Sequence, residues 1–97
     1  MRRQNTESIG AVIAQFLREQ GLEKPMLEHK VVEAWPQLMG SLVAKYTGKI
    51  EIKDGVLFVE ITSAALRQEL FIARHQLVEK LNSEVGAEII SDIRLLG

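Results

Sequence analysis

The sequence contains no cysteine. This absence excludes disulfide scaffolds, zinc sites built on thiolates and cysteine nucleophiles. The chain also lacks an excess of either charge, because 12 lysines and arginines face 13 aspartates and glutamates and leave a net charge of −1. A protein that binds nucleic acid on its own usually carries a marked basic excess. The overall charge therefore argues against strong free-standing nucleic-acid binding, although it leaves room for a local basic patch.

Long hydrophobic runs are missing as well. The longest are about four residues, whereas a helix that crosses a bilayer needs roughly 20. Arg2 and Arg3 are not followed by the apolar segment of a signal peptide. With 97 residues, of which 46% are hydrophobic and 26% charged, the chain has the length and composition of one globular domain. We therefore expect a single cytoplasmic domain over residues 1–97, with residues 1–5 as a mobile N-terminal tail and no membrane partner.

Motifs that carry catalysis are not found in the sequence. It has no P-loop, no GxGxxG dinucleotide fingerprint and no GxSxG nucleophile elbow. His29 and His75 are each followed four residues later by a glutamate, Glu33 and Glu79. Such a pair can in principle hold a metal, but it is more often a solvated pair on one helix face. We therefore expect no enzyme activity, no cofactor, no metal site and no small-molecule substrate.

The first periodic segment predicts an amphipathic helix. Asn5 or Thr6 can serve as its N-cap, and Gly21 fits the left-handed position that ends a helix. Its apolar residues recur at the spacing of one helix face: Ile9, Val12, Ile13, Phe16 and Leu17.

A second helix is predicted to begin near Pro25, since proline suits the first position of a helix. Trp35 precedes Pro36, and a residue before proline is pushed away from helical angles. We expect a break or kink there, with Trp35 as a core anchor and Gly40 as a packing position or local stop.

Asp54-Gly55, between two alternating segments, is a strong signal for a two-residue hairpin turn. The turn fixes the register, which pairs Lys53 with Val56, Ile52 with Leu57, Glu51 with Phe58, Ile50 with Val59 and Lys49 with Glu60. The last pair sets opposite charges across the ladder. The apolar side chains that then share the core face are Ile50, Ile52, Leu57, Val59 and Ile61.

One long helix is predicted after the hairpin, from an N-cap at Ser63 to a stop at Gly86. Its buried stripe consists of Leu66, Leu70, Ala73, Leu77 and Leu81. The segment 88–96 reads as a final strand, with Ile89, Ile93 and Leu95 on one face. The predicted fold is therefore α+β, in the order α-α-β-β-α-β, with a three-stranded sheet and helices packed on one face.

Four short motifs follow one another along the chain. They are Trp35-Pro36-Gln37-Leu38-Met39-Gly40 with Ala44 and Thr47, Gly55-Val56-Leu57-Phe58-Val59, Ser63-Ala64-Ala65-Leu66-Arg67-Gln68-Glu69-Leu70, and Leu81-Asn82 with Gly86. In order and spacing they resemble the DciA-like family, catalogued as domain of unknown function 721, over roughly residues 31 to 95. The short form with an Arg-Arg start looks like the version found in the Bacteroides group.

The resemblance implies a KH-like fold and a role as a loader or operator of the bacterial replicative DNA helicase without ATPase activity. The sequence departs from it at Leu66, where the family often has tryptophan. It also lacks the GxxG loop with which KH domains clamp nucleic acid.

Phe58 is the first candidate for binding a partner. The hairpin register places its ring on the sheet face opposite the core, where Val56 and Ile90 are its candidate neighbours. An apolar ring there is either covered by another element or offered to a partner.

Arg67, Phe71 and Arg74 are the other candidates. Phe71 lies off the centre of the long-helix stripe, as does Val78, and the two either widen the core face or form a mixed strip with the arginines. The arginines alone would also fit a solvated helix face. Phenylalanine and arginine are both enriched in protein interfaces.

Two functions are consistent with these residues. The first, which the resemblance implies, is a non-enzymatic accessory protein of DNA replication, which binds the replicative helicase and assists its loading on single-stranded DNA. The second is a small KH-like module that binds RNA or single-stranded DNA weakly.

Overall fold

The computed structural model describes the backbone of residues 2–97 and the side chains from residue 9 onward. Its helices and strands, in chain order, are α1 (Arg2–Glu19), α2 (Glu23–Lys45), β1 (Thr47–Lys53), β2 (Val56–Ile61), α3 (Ala64–Ile72), α4 (Arg74–Val85) and β3 (Asp92–Leu96). The fold is α+β, as predicted, with one helix more than the predicted order. The KH-like assignment stays a prediction.

The three strands form one mixed sheet in the order β1-β2-β3. β1 and β2 are antiparallel, and β2 and β3 are parallel. Asp54 (φ 53°) and Gly55 (φ 77°) both have positive φ, which defines the type I′ turn that matches the twist of a hairpin. The four predicted pairs nearest the turn are confirmed, because the turn alone sets their register.

The fifth predicted pair, Lys49 with Glu60, is wrong. The register shifts between Thr47 and Ile50, so that Thr47 lies opposite Ile61. As a result the Lys49 ammonium is 3.4 Å from the carboxylate of Glu51 on its own strand. The Glu60 carboxylate instead accepts a hydrogen bond of 3.3 Å from the backbone N–H of Lys49.

The core lies between one face of the sheet and the helices that cover it. Its buried side chains are Val31, Ala34, Trp35, Leu57, Val59, Ile61, Leu70, Leu77, Leu81, Ile90 and Ile93. Trp35 is fully buried, and its Nε1–H donates to the Thr47 hydroxyl at 3.2 Å. The Thr47 hydroxyl in turn donates to the Val43 carbonyl at 2.8 Å. Trp35 is therefore the core anchor that the sequence predicted, with its one polar atom satisfied.

The break in α2 is not where the sequence predicted it. Helical geometry continues through Trp35 and Pro36 and is interrupted at Gly40, which has φ 87° and ψ 175°. That conformation is open essentially to glycine alone. A Cβ on Gly40 would meet no atom within 4 Å, so the glycine serves the local stop and not close packing.

The predicted long helix after the hairpin is divided in two. Ser63 is its N-cap, since its hydroxyl accepts a hydrogen bond of 3.2 Å from the Leu66 N–H. The division falls at Ala73 (φ −90°, ψ 5°), which ends α3 and starts α4. Gly86 ends α4 in the left-handed conformation, as predicted.

The final strand is shorter than predicted because the residues before it are bound to a helix. The Asn82 Oδ1 accepts hydrogen bonds from the N–H groups of Ile89 (3.0 Å) and Ile90 (3.1 Å). Its Nδ2 donates to the Ile90 carbonyl at 2.8 Å. Pairing with β2 therefore begins only at Asp92. Ile90 lies in the core and not beside Phe58, which corrects its predicted place.

Helix α1 extends away from the rest of the domain. It ends in a Schellman motif, in which the N–H of Leu22 bonds to the Leu17 carbonyl (2.8 Å) and that of Gly21 to the Arg18 carbonyl (3.1 Å). The molecule measures 53 × 26 × 20 Å and has a radius of gyration of 15.8 Å. A compact domain of this length would have about 12.5 Å.

The start of α1 also differs from the prediction. The helix begins at Arg2, so Asn5 and Thr6 stand inside it and neither is its N-cap. The side chains of residues 1–8 lie outside the described part, and the mobile tail at residues 1–5 stays a prediction.

Candidate partner-binding surface

Phe58 lies on the sheet face turned away from the helices. It stands between the buried Leu57 and Val59, and successive side chains of a strand point to opposite faces. Across the sheet it is paired with Glu51 on β1 and Arg94 on β3. Its ring is half-buried.

Phe71 and Arg74 meet where α3 gives way to α4. Phe71 is 51% exposed. The Arg74 guanidinium stacks over its ring, with 3.9 Å between Cζ and the ring centroid. The same guanidinium donates from Nη1 to the Phe71 carbonyl at 3.0 Å, which satisfies one carbonyl at the end of α3. The pair is thus held in one arrangement before any partner arrives.

Asp92 connects this helix junction to the sheet. Its carboxylate oxygens are 3.8 Å from the Arg74 Nε and 3.6 Å from the Arg94 Nε. Asp92, Arg94 and Leu96 alternate with the core residues of β3 and so share a face with Phe58.

These elements enclose a groove along β3, which we call the β3 groove. The side chains that line it, outside the core, are Phe58, Phe71, Arg74, Asp92, Arg94 and Leu96. Phe58 and Leu96 also line a second, smaller groove that continues over β1 beside Lys49 and Glu51. The predicted candidates Phe58, Phe71 and Arg74 are therefore brought together on one surface.

Arg67 is not part of the β3 groove. Its Nη1 donates to the carbonyl of Ile61, the last residue of β2, and its guanidinium lies against Gly97. Of the predicted strip, Val78 is half-buried against the core and widens the helix stripe. Two members of the strip thus maintain the fold, and the other two face the groove.

Sequence reasoning missed Asp92, Arg94 and Leu96. The signal was present, because Ile93 and Leu95 as core residues force their neighbours to the other face. Strand alternation could not show that the junction of α3 and α4 would lie beside the outer face of β3.

The groove combines the exposed ring of Phe71 and the half-buried ring of Phe58 with two cations and one carboxylate. This composition suits recognition of a protein surface, where aromatic and arginine side chains supply most of the contact energy. Among the described side chains, no group of three or more His, Asp or Glu residues has metal-binding geometry. His29 lies 3.4 Å from Glu33, with both side chains more than half exposed. No helix within residues 2–97 has the length and hydrophobicity to cross a bilayer.

The motifs that resembled a known family have structural roles. Trp35 anchors the core, Ser63 caps α3, Asn82 holds the approach to β3 and Gly86 ends α4. Leu66, where tryptophan is often found, is half-buried against the core. The signature therefore marks mainly the fold, and of the quoted motif residues Phe58 also lines the β3 groove.

Comparison with known proteins agrees with these motifs. A family model described as "Dna[CI] antecedent, DciA" matches residues 8–95. A "UPF0232 protein" of Corynebacterium glutamicum is 30% identical over 91 residues, which are 94% of this chain and 51% of that protein. One of Streptomyces avermitilis is 30% identical over 92 residues, covering 93% of this chain and 51% of the relative.

A relative in Mycolicibacterium smegmatis, named "UPF0232 protein in recF-gyrB intergenic region", is 25% identical over 89 residues. The match covers 92% of this chain and 46% of that protein. The chain thus spans about half the length of the curated relatives it matches.

Proposed function

The chain belongs to the DciA family, and on that basis we propose that it is a non-enzymatic accessory protein of DNA replication that binds the replicative DNA helicase and assists its loading on single-stranded DNA. Family membership supports a role in replication.

The observation that carries the proposal is the β3 groove. It is lined by the half-buried ring of Phe58 and the exposed ring of Phe71, beside Arg74 and Arg94. Arg74 is fixed by its stacking on Phe71 and by its hydrogen bond to the Phe71 carbonyl. A side chain that is ordered in advance loses less conformational entropy on binding. The groove is therefore suited to a protein partner without rearrangement.

The mechanism that fits such a surface is a shift between states of the helicase. A ligand shifts a conformational equilibrium only by the difference between its affinities for the two states. The chain would bind the loading-competent helicase more tightly than the closed form and would leave chemistry to the helicase. A tenfold shift needs about 1.4 kcal/mol of differential binding, which one well-placed aromatic contact can supply.

The test is titration of the full chain into the replicative helicase of its own organism by biolayer interferometry at low salt. We expect binding in the micromolar range or tighter. Phe71→Asp should weaken it at least tenfold, because it removes an exposed ring and adds a second acid to the groove that Asp92 lines.

Leu42→Asp is the matched control, since Leu42 is 67% exposed on α2 and outside the β3 groove. It should leave the affinity within about twofold. Failure of the unmodified chain to bind at 50 μM, with its circular dichroism intact, would remove the helicase from the proposal. Equal losses in both variants would remove the β3 groove.

A second candidate function is weak binding of single-stranded nucleic acid on the same face. Aromatic rings beside cations form stacking platforms for bases, and the half-buried ring of Phe58 lies directly beside Arg94. Phosphate contacts weaken steeply as salt rises. Fluorescence anisotropy with a labelled oligothymidine at about 50 mM and about 200 mM salt tests this function. No binding at the lower salt would exclude it.

A further inference from the structure

The apolar face of α1 is left without a partner in the domain. Ile9, Val12, Ile13 and Phe16 are 61%, 66%, 54% and 53% exposed. These four residues fall within about 100° of the helix circumference, so they form one continuous stripe. The sequence predicted the stripe, and the structure shows that nothing in the described chain covers it.

A helix in this situation needs an external surface. In proteins most of the stability of a helix comes from packing its apolar face against another surface. The segment 9–17 contains no charged residue. A nucleic-acid partner is thus disfavoured, because the stripe offers no cation to a phosphate. The stripe is therefore complementary to an uncharged, apolar surface on its partner.

The stripe is its own complement. When two α1 helices are placed antiparallel about an axis midway between Val12 and Ile13, Val12 meets Ile13 and Ile9 meets Phe16 of the other copy. The set of four positions maps onto itself, as a two-fold interface requires. The longer ring of Phe16 then faces a branched aliphatic chain in each outer layer. Like-charge repulsion is absent because the paired segment carries no charge.

The exposed area sets the strength of such a pair. Each of the four residues leaves on the order of 100 Å² exposed, so pairing two copies removes at most roughly 800 Å². Stable dimers bury about 1,200–2,000 Å² in total. The area is therefore enough for a reversible contact and too small for a permanent one.

We propose that α1 is a dimerisation helix, which pairs antiparallel with α1 of a second copy of this chain through the stripe of Ile9, Val12, Ile13 and Phe16. The dimer dissociates in the micromolar range. Its two β3 grooves stay open, because α1 takes no part in lining them. The inference is independent of the helicase proposal.

Sedimentation velocity of the full chain from 5 to 500 μM is the first test. The weight-average mass should rise from the 10.9 kDa of one chain towards twice that value. Val12→Glu should hold it at the monomer value over the whole range. Ala11→Glu is the matched control, because Ala11 is exposed on the opposite side of the same helix, and it should dimerise as the unmodified chain does.

Cross-linking tests the orientation. The chain has no cysteine, so Ile9→Cys and Phe16→Cys chains each carry one thiol. In a glutathione redox buffer, a mixture of the two variants should form a disulfide-linked dimer, and neither variant should do so alone. Cross-linking of Ile9→Cys with itself would overturn the antiparallel arrangement. A monomeric unmodified chain at 500 μM would overturn the proposal as a whole.

Discussion

Replacing Asn82 with alanine should be among the most destabilising changes that leave the hydrophobic core intact. The side chain makes three hydrogen bonds, from the N–H groups of Ile89 and Ile90 and to the Ile90 carbonyl. Each contributes about 0.5–1.5 kcal/mol net, and more where the abandoned group stays out of water. Ile90 is buried, so its backbone groups have little access to solvent. We expect Asn82→Ala to lower the free energy of unfolding by about 2–4 kcal/mol.

Urea unfolding followed by tryptophan fluorescence measures this loss. Trp35 is the only tryptophan and is fully buried, so its emission reports the loss of the core. Because about 1 kcal/mol shifts the Tm of a domain this size by roughly 4–8 °C, the Tm should fall by roughly 8–32 °C. Ser83→Ala is the control, since Ser83 is the exposed neighbour of Asn82, and it should change stability by less than about 0.5 kcal/mol. A loss below about 0.5 kcal/mol in Asn82→Ala would refute the reasoning, because water would then replace all three bonds.

Three further substitutions test other features of the fold by the same urea titration. Gly40→Ala should cost about 1–3 kcal/mol, because alanine rarely adopts the φ of 87° at the α2 break, and a neutral result would show that the break moves freely. Ser63→Ala should cost about 1 kcal/mol through the unsatisfied Leu66 N–H, and less than about 0.3 kcal/mol would mean that water caps α3 equally well. Arg67→Met should cost about 1–2 kcal/mol, because it keeps the apolar stem but frees the Ile61 carbonyl, while helicase affinity of the folded variant stays unchanged. A stable Arg67→Met variant with weakened helicase binding would return Arg67 to the partner surface.

The hairpin was predictable because its signals are local. Asp54-Gly55 specifies the turn, and the turn specifies the pairs beside it. The prediction failed only at Lys49 and Glu60, beyond the register shift. Nothing in the alternation of residues along β1 marks that shift. The carboxylate of Glu60 lies where a Cβ on Gly48 would be, and Glu60 belongs to the other strand.

Helix breaks were less predictable than helix ends. Gly21, Ser63 and Gly86 mark ends by their own chemistry, and the structure agrees with each. The break at Ala73 has no such residue, because alanine favours helix. On its two sides α3 packs against the sheet, whereas α4 packs against both α2 and β3. The sequence offered Pro36 and Gly40 as places where α2 could be interrupted. The interruption is at Gly40, which adopts a positive φ.

The candidate surface was half predictable. Strand alternation places Phe58 on the outer face, and helix periodicity places Phe71 off the core stripe. Their meeting depends on β3 lying beside β2 with Arg94 opposite Phe58. That is a pairing between segments distant in the chain, which local patterns do not contain. Periodicity likewise predicted the stripe of α1 but not that it lies outside the core.

The way β3 joins the sheet sets an order of events when the chain folds. β1 and β2 meet across a two-residue turn, whereas β3 reaches β2 only after the crossover of residues 62–91 has been laid down. Closing a long loop costs conformational entropy, and this cost comes before the contacts between distant strands stabilise the chain. We therefore expect β3 to dock late and to detach first when the chain is stressed. Because β3 forms one wall of the β3 groove, the binding surface would be lost before the hairpin unfolds. A partner bound in the groove would therefore stabilise the docked state of the last strand.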